Sequence, residues 1–184
     1  DLPIQSLQKS SLYDHCVRAL NNGFRYGEHG LPLMGSGDWN DGMDQVGIHG
    51  RGESVWLGFF TYDILMNFIE LAEGHQDPDF AVQCKMEAER LKINIEKNAW
   101  DGEWYRRAYF DDGTPLGSHT NDECQIDSLS QSWSVISGVA EKGRAQTAMN
   151  SAYRRLVNKK DNIICLLDPA FDKSVTNPGY IKGY

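Results

Sequence analysis

The segment with the densest set of chemically useful side chains runs from Gly35 to Asp44 and reads GSGDWNDGMD. It places three carboxylates, an asparagine and Trp39 within seven positions, flanked by glycines that allow a tight turn. An indole offers an apolar face on which a pyranose can stack. A carboxylic acid buried against such a ring has a raised pKa, so it can hold a proton near neutrality and protonate a departing glycosidic oxygen. The loop could therefore act on sugars.

Other interpretations of the same loop must be weighed against this one. Asp and Asn are frequent in turns and helix N-caps because their side chains bond nearby amides, so a purely structural role is an alternative. A calcium-binding loop starting at Asp38 would need Gly where Met43 stands and Glu where His49 stands. Gly35 and Gly37 lack the third glycine of a dinucleotide-binding fingerprint. We therefore predict neither a metal site nor a bound cofactor.

Apolar residues at helical spacing predict five helices around this loop. The second covers residues 53–73 and is apolar on almost every side, which predicts burial on several faces, with Glu53 as an anion at its N-terminus. The third begins with Asp77 as N-cap and Pro78 at its first position. The apolar stripes of the first, third, fourth and fifth helices are, in turn, Tyr13, Cys16, Val17 and Leu20; Phe80, Cys84, Ala88, Leu91 and Ile95; Ile126, Leu129, Trp133, Ile136 and Ala140; Ala145, Ala148, Met149, Ala152 and Leu156.

One segment between the third and fourth helices has the composition of a β-strand and lacks helical periodicity. Residues 104–110 are rich in strand formers and meet the turn signal Asp111-Asp112-Gly113, which predicts a short β-hairpin. Successive helices joined by such loops favour a helical-hairpin array or barrel over a sandwich or a doubly wound sheet. We therefore predict an all-α fold with a short β-hairpin insertion.

Composition excludes several classes of partner. The chain has 184 residues, 40% of them hydrophobic, and a net charge of −8 with scattered basic residues, which argues against nucleic-acid binding. Its four cysteines form no CxxC pair, so we expect free thiols in a reducing cytoplasm. The longest apolar stretch, residues 55–71, is interrupted by polar side chains and is predicted to be a soluble core helix without direct membrane contact.

The loop and several flanking motifs together resemble a known family. Residues 31–43 (LPLMGSGDWNDGM) resemble the catalytic loop of the inverting disaccharide phosphorylases, a family that includes cellobiose and chitobiose phosphorylases and the C-terminal module of cyclic β-1,2-glucan synthases. The likeness continues through residues 52–58 (GESVWLG), 100–105 (WDGEWY), 108–113 (AYFDDG) and 131–138 (QSWSVISG). Residues 178–184 (PGYIKGY) resemble the cyclic glucan synthase branch in particular.

The resemblance implies both a fold and a reaction. The fold would be an (α/α)6 barrel, and the general acid would be Asp41, two positions after Trp39, which would line the sugar subsite. Asp38 and Asn40 would brace the loop, with a direct sugar contact left open, and Glu53 is a further candidate for substrate contact. The implied reaction is phosphorolysis of a β-linked, in particular β-1,2-linked, glucan. Inorganic phosphate would be the co-substrate, and inversion would give α-glucose 1-phosphate.

The resemblance also sets expectations for the extent of the chain. Relatives have barrel helices before the position of Asp1, and a Glu-Asn-Gly-Gly loop that helps form the phosphate pocket after the position of Tyr184. We therefore expect residues 1–184 to be a central fragment of a single catalytic domain, truncated at both ends and inactive alone. Its exposed barrel faces would favour self-association. The fragment would be cytoplasmic, and the parent protein would be anchored in the inner membrane.

Two rival functions stay open from the sequence. An inverting hydrolase on the same barrel would need a second carboxylate to activate water, for which Glu53 and Asp44 are candidates. A non-catalytic carbohydrate-binding module would need no acid at all.

Overall fold

The computed structural model describes residues 6–183, in which five α-helices are joined by loops and very short strands. The helices are α1 (Leu12–Gly23), α2 (Val55–Gly74), α3 (Pro78–Asn98), α4 (Ser128–Ile136) and α5 (Lys142–Leu156). Two 3₁₀ turns, Asp41–Met43 and Tyr180–Gly183, complete the helical elements. The prediction of five helices is confirmed, and the fold is mainly helical.

Each helix begins at a side chain that accepts hydrogen bonds from its first amides. Ser11 and Asp14 form a reciprocal capping box at α1, and Asp77 caps α3 ahead of Pro78, as predicted. Ser54 caps α2 and Asp127 caps α4. Glu53, predicted as the anion at the start of the second helix, does not cap it, because the hydroxyl of Ser54 accepts the bond from the amide of Leu57.

The helices α2 and α3 pack along each other and form the largest helical contact. Phe80, Cys84, Ala88, Leu91 and Ile95 are all buried, so the predicted stripe of the third helix is confirmed. By length and composition alone α2 could cross a membrane, a property it shares with core helices of soluble proteins, and 39% of its apolar 18-residue window is buried here. Met66 and Leu71 are exposed, so α2 is less enclosed than predicted.

The predicted apolar stripe of the fourth helix is confirmed only in part, since Trp133 and Ala140 pack against the core and Ile126 is buried. Ile126 lies in a strand before the helix, Ile136 is 62% exposed, and the buried side carries Ser130, Gln131 and Ser134. On this polar face the side-chain amide of Gln131 is bound to the backbone. Its Oε1 accepts a 2.8 Å bond from the amide of Tyr105, and its Nε2 donates to the carbonyl oxygen of Tyr105 at 2.8 Å. In α5 Ala148 and Leu156 are buried as predicted, whereas Met149 is partly exposed.

Three small antiparallel sheets make the structure less purely helical than the predicted all-α fold with one hairpin. The hairpin is confirmed as β2 (Ala108–Tyr109) and β3 (Pro115–Leu116), and β1 (Glu53–Ser54) adds a third strand beside β2. The other sheets pair β4 (Ile126–Asp127) with β7 (Leu167–Asp168), and β5 (Val157–Asn158) with β6 (Ile163–Ile164). The strand predicted at 104–110 is shorter than expected, because the backbone of residues 104–106 bonds to residues 99 and 101 and to the side chain of Gln131 instead of continuing the hairpin.

A separate apolar cluster supports the loop that carries the carboxylates. It brings together residues from the loop, the hairpin and the C-terminal segment: Met34, Met43, Val46, Ala108, Phe110, Leu116, Cys124, Phe171 and Ile181. All four cysteines are free thiols, as expected.

Candidate active site

The loop is shaped by hydrogen bonds among its own residues. The carboxylate of Asp38 accepts the amide of Asn40 at 3.0 Å, and the side-chain oxygen of Asn40 accepts the amide of Gly42 at 3.0 Å. Asn40 thereby caps the 3₁₀ turn Asp41–Met43. Gly37 has a φ of 127° and lies so close that a Cβ there would be 3.1 Å from the Cα of Asp41. The result is a tight turn with Asp41 on its exposed side.

Asp38 faces the interior of the protein. Its side chain is fully buried and receives two bonds from Arg107, at 2.7 Å and 2.6 Å, and one from the hydroxyl of Ser54. Burial alone would raise the pKa of Asp38, but the charge and hydrogen bonds of Arg107 outweigh it and lower the pKa. Asp38 therefore braces the loop and is not accessible to a sugar in this structure.

Arg107 was not singled out from the sequence, although it is the largest fully buried side chain described. Its Nε lies 3.6 Å from Oδ2 of Asp127, which caps α4 through the amides of Leu129 and Ser130. Burial raises the pKa of Asp127, because this more distant contact with Arg107 offsets the loss of water only in part. One buried cation thus lies between two buried carboxylates and is closer to Asp38.

Asp41 and Trp39 lie beside a cleft of about 480 Å³. Trp39 is 57% exposed, and Asn40 also contributes to the lining. The remaining lining residues come from later in the chain: Cys165, Leu166, Leu167, Ala170, Phe171 and Ile181. Sequence reasoning missed this wall, because residues 165–171 show no periodicity that marks them. Asp41 is exposed, so the described residues do not form the expected burial of its carboxyl group against Trp39.

The C-terminal segment packs against the other side of the loop. The amide of Tyr180 donates to Oδ1 of Asp44 at 3.2 Å, and the amide of Gln45 donates to the carbonyl oxygen of Pro178 at 3.3 Å. Ile181 approaches Gly42 so closely that a Cβ on this glycine would be 3.1 Å from the Cβ of Ile181. The loop is therefore held from both sides, by Arg107 and by the turn at 180–183.

Comparison with known proteins identifies the family. Residues 1–184 match the glycosyl hydrolase 94 superfamily, catalytic domain. The chain belongs to this superfamily. It is 45% identical over 174 residues to the cyclic β-(1,2)-glucan synthase NdvB of Rhizobium meliloti (strain 1021), and 38% identical over 176 residues to the solabiose phosphorylase of Paenibacillus borealis. It is 29% identical over 150 residues to the N,N′-diacetylchitobiose phosphorylase of Vibrio furnissii.

These matches cover 94%, 95% and 80% of this glycosyl hydrolase 94 chain, respectively. They cover only 6%, 23% and 18% of the relatives, so the chain spans less than a quarter of each. The resemblance to the phosphorylase family is confirmed at the level of the superfamily.

Glu53 lies apart from Asp41 in this glycosyl hydrolase 94 chain. It is 1% exposed, and its carboxylate accepts bonds from the amides of His29 and Leu31 and contacts Nδ1 of His29 at 2.5 Å. It lines a second cleft, of about 420 Å³, that shares no lining residue with the cleft at Asp41. The carboxylate therefore closes the turn at 27–31 and is not brought together with the other predicted site residues.

The geometry separates the predicted residues by what they can do. Asp41 and Trp39 are open to a ligand, so they can supply a carboxyl group and an aromatic face. Asp38 and Glu53 have their oxygens bound inside the protein, whereas Asn40 both fixes the turn and borders the cleft. An exposed carboxyl group on a loop braced by a buried ion pair is suited to donating a proton at a fixed position.

Proposed function

We propose that the protein to which this chain belongs is an inverting glycoside phosphorylase that cleaves a β-linked glucan with inorganic phosphate, and that Asp41 is its general acid. The observation that carries the proposal is the pair Asp41 and Trp39, both exposed on the wall of one cleft while the rest of the loop is fixed internally. The names of the relatives support it, since one is a cyclic β-(1,2)-glucan synthase and others are phosphorylases. A β-1,2 linkage is the first candidate.

The proposed reaction uses Asp41 in its protonated form. Asp41 donates a proton to the interglycosidic oxygen while a phosphate oxygen attacks the anomeric carbon from the opposite face of the ring. The carbon–oxygen bond to the leaving sugar breaks as the bond to phosphate forms, giving α-glucose 1-phosphate and a shortened glucan. Phosphate is already an anion, so the protein needs to position it and offset its charge but needs no second carboxylate as base.

The two carboxylates considered as the base of a hydrolase are both engaged elsewhere, which supports phosphorolysis. An inverting hydrolase would place a second free carboxylate across the sugar from Asp41. Of the two candidates, Glu53 belongs to the other cleft, and Asp44 is bound by the amide of Tyr180 and the side chain of Gln45. Within residues 6–183, Asp41 is the only carboxylate that lines its cleft.

The fold and the setting are parts of the same proposal. The pairs α2–α3 and α4–α5 would be helical hairpins of an (α/α)6 barrel that residues outside this chain complete. Exposed apolar side chains on α3, namely Val82, Met86 and Ile93, would then face other parts of the domain or a second molecule. The catalytic module would lie in the cytoplasm as part of a membrane-associated protein.

The test is phosphate-dependent release of glucose 1-phosphate from β-1,2-gluco-oligosaccharides by the full-length protein. Asp41→Asn should lower the rate by a factor on the order of 10²–10⁴, as loss of a general acid usually does. Asp79→Asn, which removes an exposed carboxylate from the first turn of α3, is the matched control and should leave the rate unchanged.

The competing functions predict different products. Free glucose released without phosphate would favour the hydrolase. Glucan binding that survives Asp41→Asn, together with no turnover by the wild-type protein, would favour a non-catalytic binding module.

A further inference from the structure

We infer that Arg107 is a positioning residue for the reaction, because its guanidinium group fixes the turn that presents Asp41 to the cleft. The inference rests on the proposed role of Asp41 as the general acid. Arg107 itself is fully buried, so it acts on the reaction only through the residues it holds.

The contact between Arg107 and Asp38 is the strongest link in this arrangement. Nη1 and Nη2 each donate to one oxygen of Asp38, at 2.7 Å and 2.6 Å, and both side chains are fully buried. A two-pronged bond of this kind fixes the direction as well as the distance of the carboxylate. A buried guanidinium that lost its partner would be costly, so the pair resists displacement.

Two hydrogen bonds within the loop connect the position of Asp38 to the position of Asp41. The carboxylate of Asp38 also accepts a hydrogen bond from the amide of Asn40. The side-chain oxygen of Asn40 in turn accepts a hydrogen bond from the amide of Gly42. Asp41 lies between these two anchored positions. Any shift of Asp38 is therefore passed to Asp41 within the same turn, and displacements of about 1 Å can reduce a rate by 10²-fold.

Arg107 is tied to the helical scaffold on its other side. Its guanidinium lies 3.5 Å from the hydroxyl of Ser54 and 3.6 Å from Asp127, which are the N-cap residues of α2 and α4. Its backbone amide donates to Leu116 at 2.7 Å, and its carbonyl oxygen accepts from Val55 at 3.2 Å. Through Arg107 the loop is therefore attached to two helices and a strand, which are more rigid supports than a loop alone.

A lysine at this position separates positioning from charge. Lysine keeps the positive charge but cannot make the two parallel bonds to Asp38. Because Arg107 is fully buried and does not line the cleft, glucan affinity should change little while the acid loses its alignment. Arg107→Lys should therefore lower kcat and leave the KM for glucan nearly unchanged.

The experiment compares variants of the full-length protein in the glucose 1-phosphate assay. We expect Arg107→Lys and Asp38→Asn each to lower kcat by roughly 10- to 100-fold, with KM within about threefold of the wild type. Guanidinium ion added at millimolar concentration to Arg107→Ala should restore part of kcat. Arg106→Lys is the matched control, since Arg106 is the adjacent residue and pairs with Asp101 instead; its kcat should be unchanged.

Hydrogen exchange at residues 38–43 supplies a readout independent of activity. These amides should exchange faster in Arg107→Lys and in Asp38→Asn than in the wild type, and not in Arg106→Lys. Wild-type kcat and unchanged exchange in both altered proteins would overturn the inference while the proposed function stood. If the wild-type protein released no glucose 1-phosphate, the proposed function would fail, and unchanged exchange would then reject the positioning role as well.

Discussion

Gly179 is the residue at which a single methyl group should disturb the proposed acid most directly from the C-terminal side. Its φ is 122°, a conformation that side-chain-bearing residues rarely adopt. A Cβ added there would be 2.1 Å from Oδ1 of Asp44, 2.5 Å from the carbonyl oxygen of Gly42 and 2.7 Å from the amide nitrogen of Asp44. Two of these three atoms belong to the backbone of the loop that carries Asp41, so a side-chain rotation cannot relieve the contact.

The magnitude follows from the backbone strain and the overlap together. Holding a non-glycine residue in such a conformation costs about 1–3 kcal/mol. That energy corresponds to a shift of about 5- to 150-fold in the equilibrium between the docked and the displaced turn at 180–183. The overlap with Gly42 adds to the cost. We therefore expect Gly179→Ala to lower kcat/KM for phosphorolysis at least about tenfold.

The assay is glucose 1-phosphate release by the full-length protein, with hydrogen exchange at residues 41–45 measured in parallel. Gly183→Ala is the matched control, since nothing lies within 4 Å of a Cβ at that position and its φ is not positive. The control should behave as the wild type. A Gly179→Ala protein with wild-type kcat/KM and unchanged exchange would show that the turn at 180–183 does not hold the acid loop.

Three further predictions test the surroundings of the site. Glu123 accepts the amides of Lys173, Asp172 and Ser174, which lower its pKa from 4.5 to about 2. The ionised carboxylate therefore stabilises the turn at 172–174 fully above pH 4.5, and this stabilisation is lost as the pH falls towards 2. Glu123→Gln should speed hydrogen exchange of the three amides at neutral pH, and the exchange rates of variant and wild type should converge in acid. Trp39→Ala should weaken glucan binding about tenfold, measured by calorimetric titration, if the exposed ring stacks on sugar. Leu91→Ala should destabilise the α2–α3 pair by about 2–5 kcal/mol in denaturant unfolding, whereas Glu89→Ala, at an exposed polar position of α3, should have little effect.

Local signals in the sequence were sufficient for the helices and for the centre of the site. The N-cap at Asp77 and the stripe through Leu91 predicted α3, because capping and periodic burial act within one segment. The loop at 35–44 stood out because glycines, carboxylates and an indole rarely occur so close together. The exposed positions of Trp39 and Asp41 beside one cleft agree with the interpretation that they face a ligand, while their roles stay predictions.

Long-range partners were beyond the reach of local patterns. Arg107 lies in a strand-like run next to Arg106, and nothing in that run distinguishes the buried arginine from the partly exposed one. The cleft wall at 165–171 is held beside Asp41 by long-range contacts, which include the pairing of β4 with β7 and the packing of Phe171 in the cluster with Met43. The apolar stripe predicted for the fourth helix failed in part for a related reason, since its buried face carries Gln131, whose partner Tyr105 lies 26 residues earlier in the chain.

The position of Gln131 requires an amide side chain, and a polar side chain of another type would not be sufficient. It meets the backbone of Tyr105 as a neighbouring strand would, with one acceptor and one donor, and Nε2 also donates to the carbonyl oxygen of Asp127 at 2.9 Å. Glutamate has no donor, and leucine or methionine has neither group, so none of them can replace the amide. Tyr105 is two residues before Arg107, so the bonds from Gln131 help to fix the backbone that positions the guanidinium against the acid loop. The helix α4 that carries Gln131 gives no sign of catalysis in its own sequence. A substitution of Gln131 should therefore alter the position of Asp41, although the two residues lie on different elements of the fold.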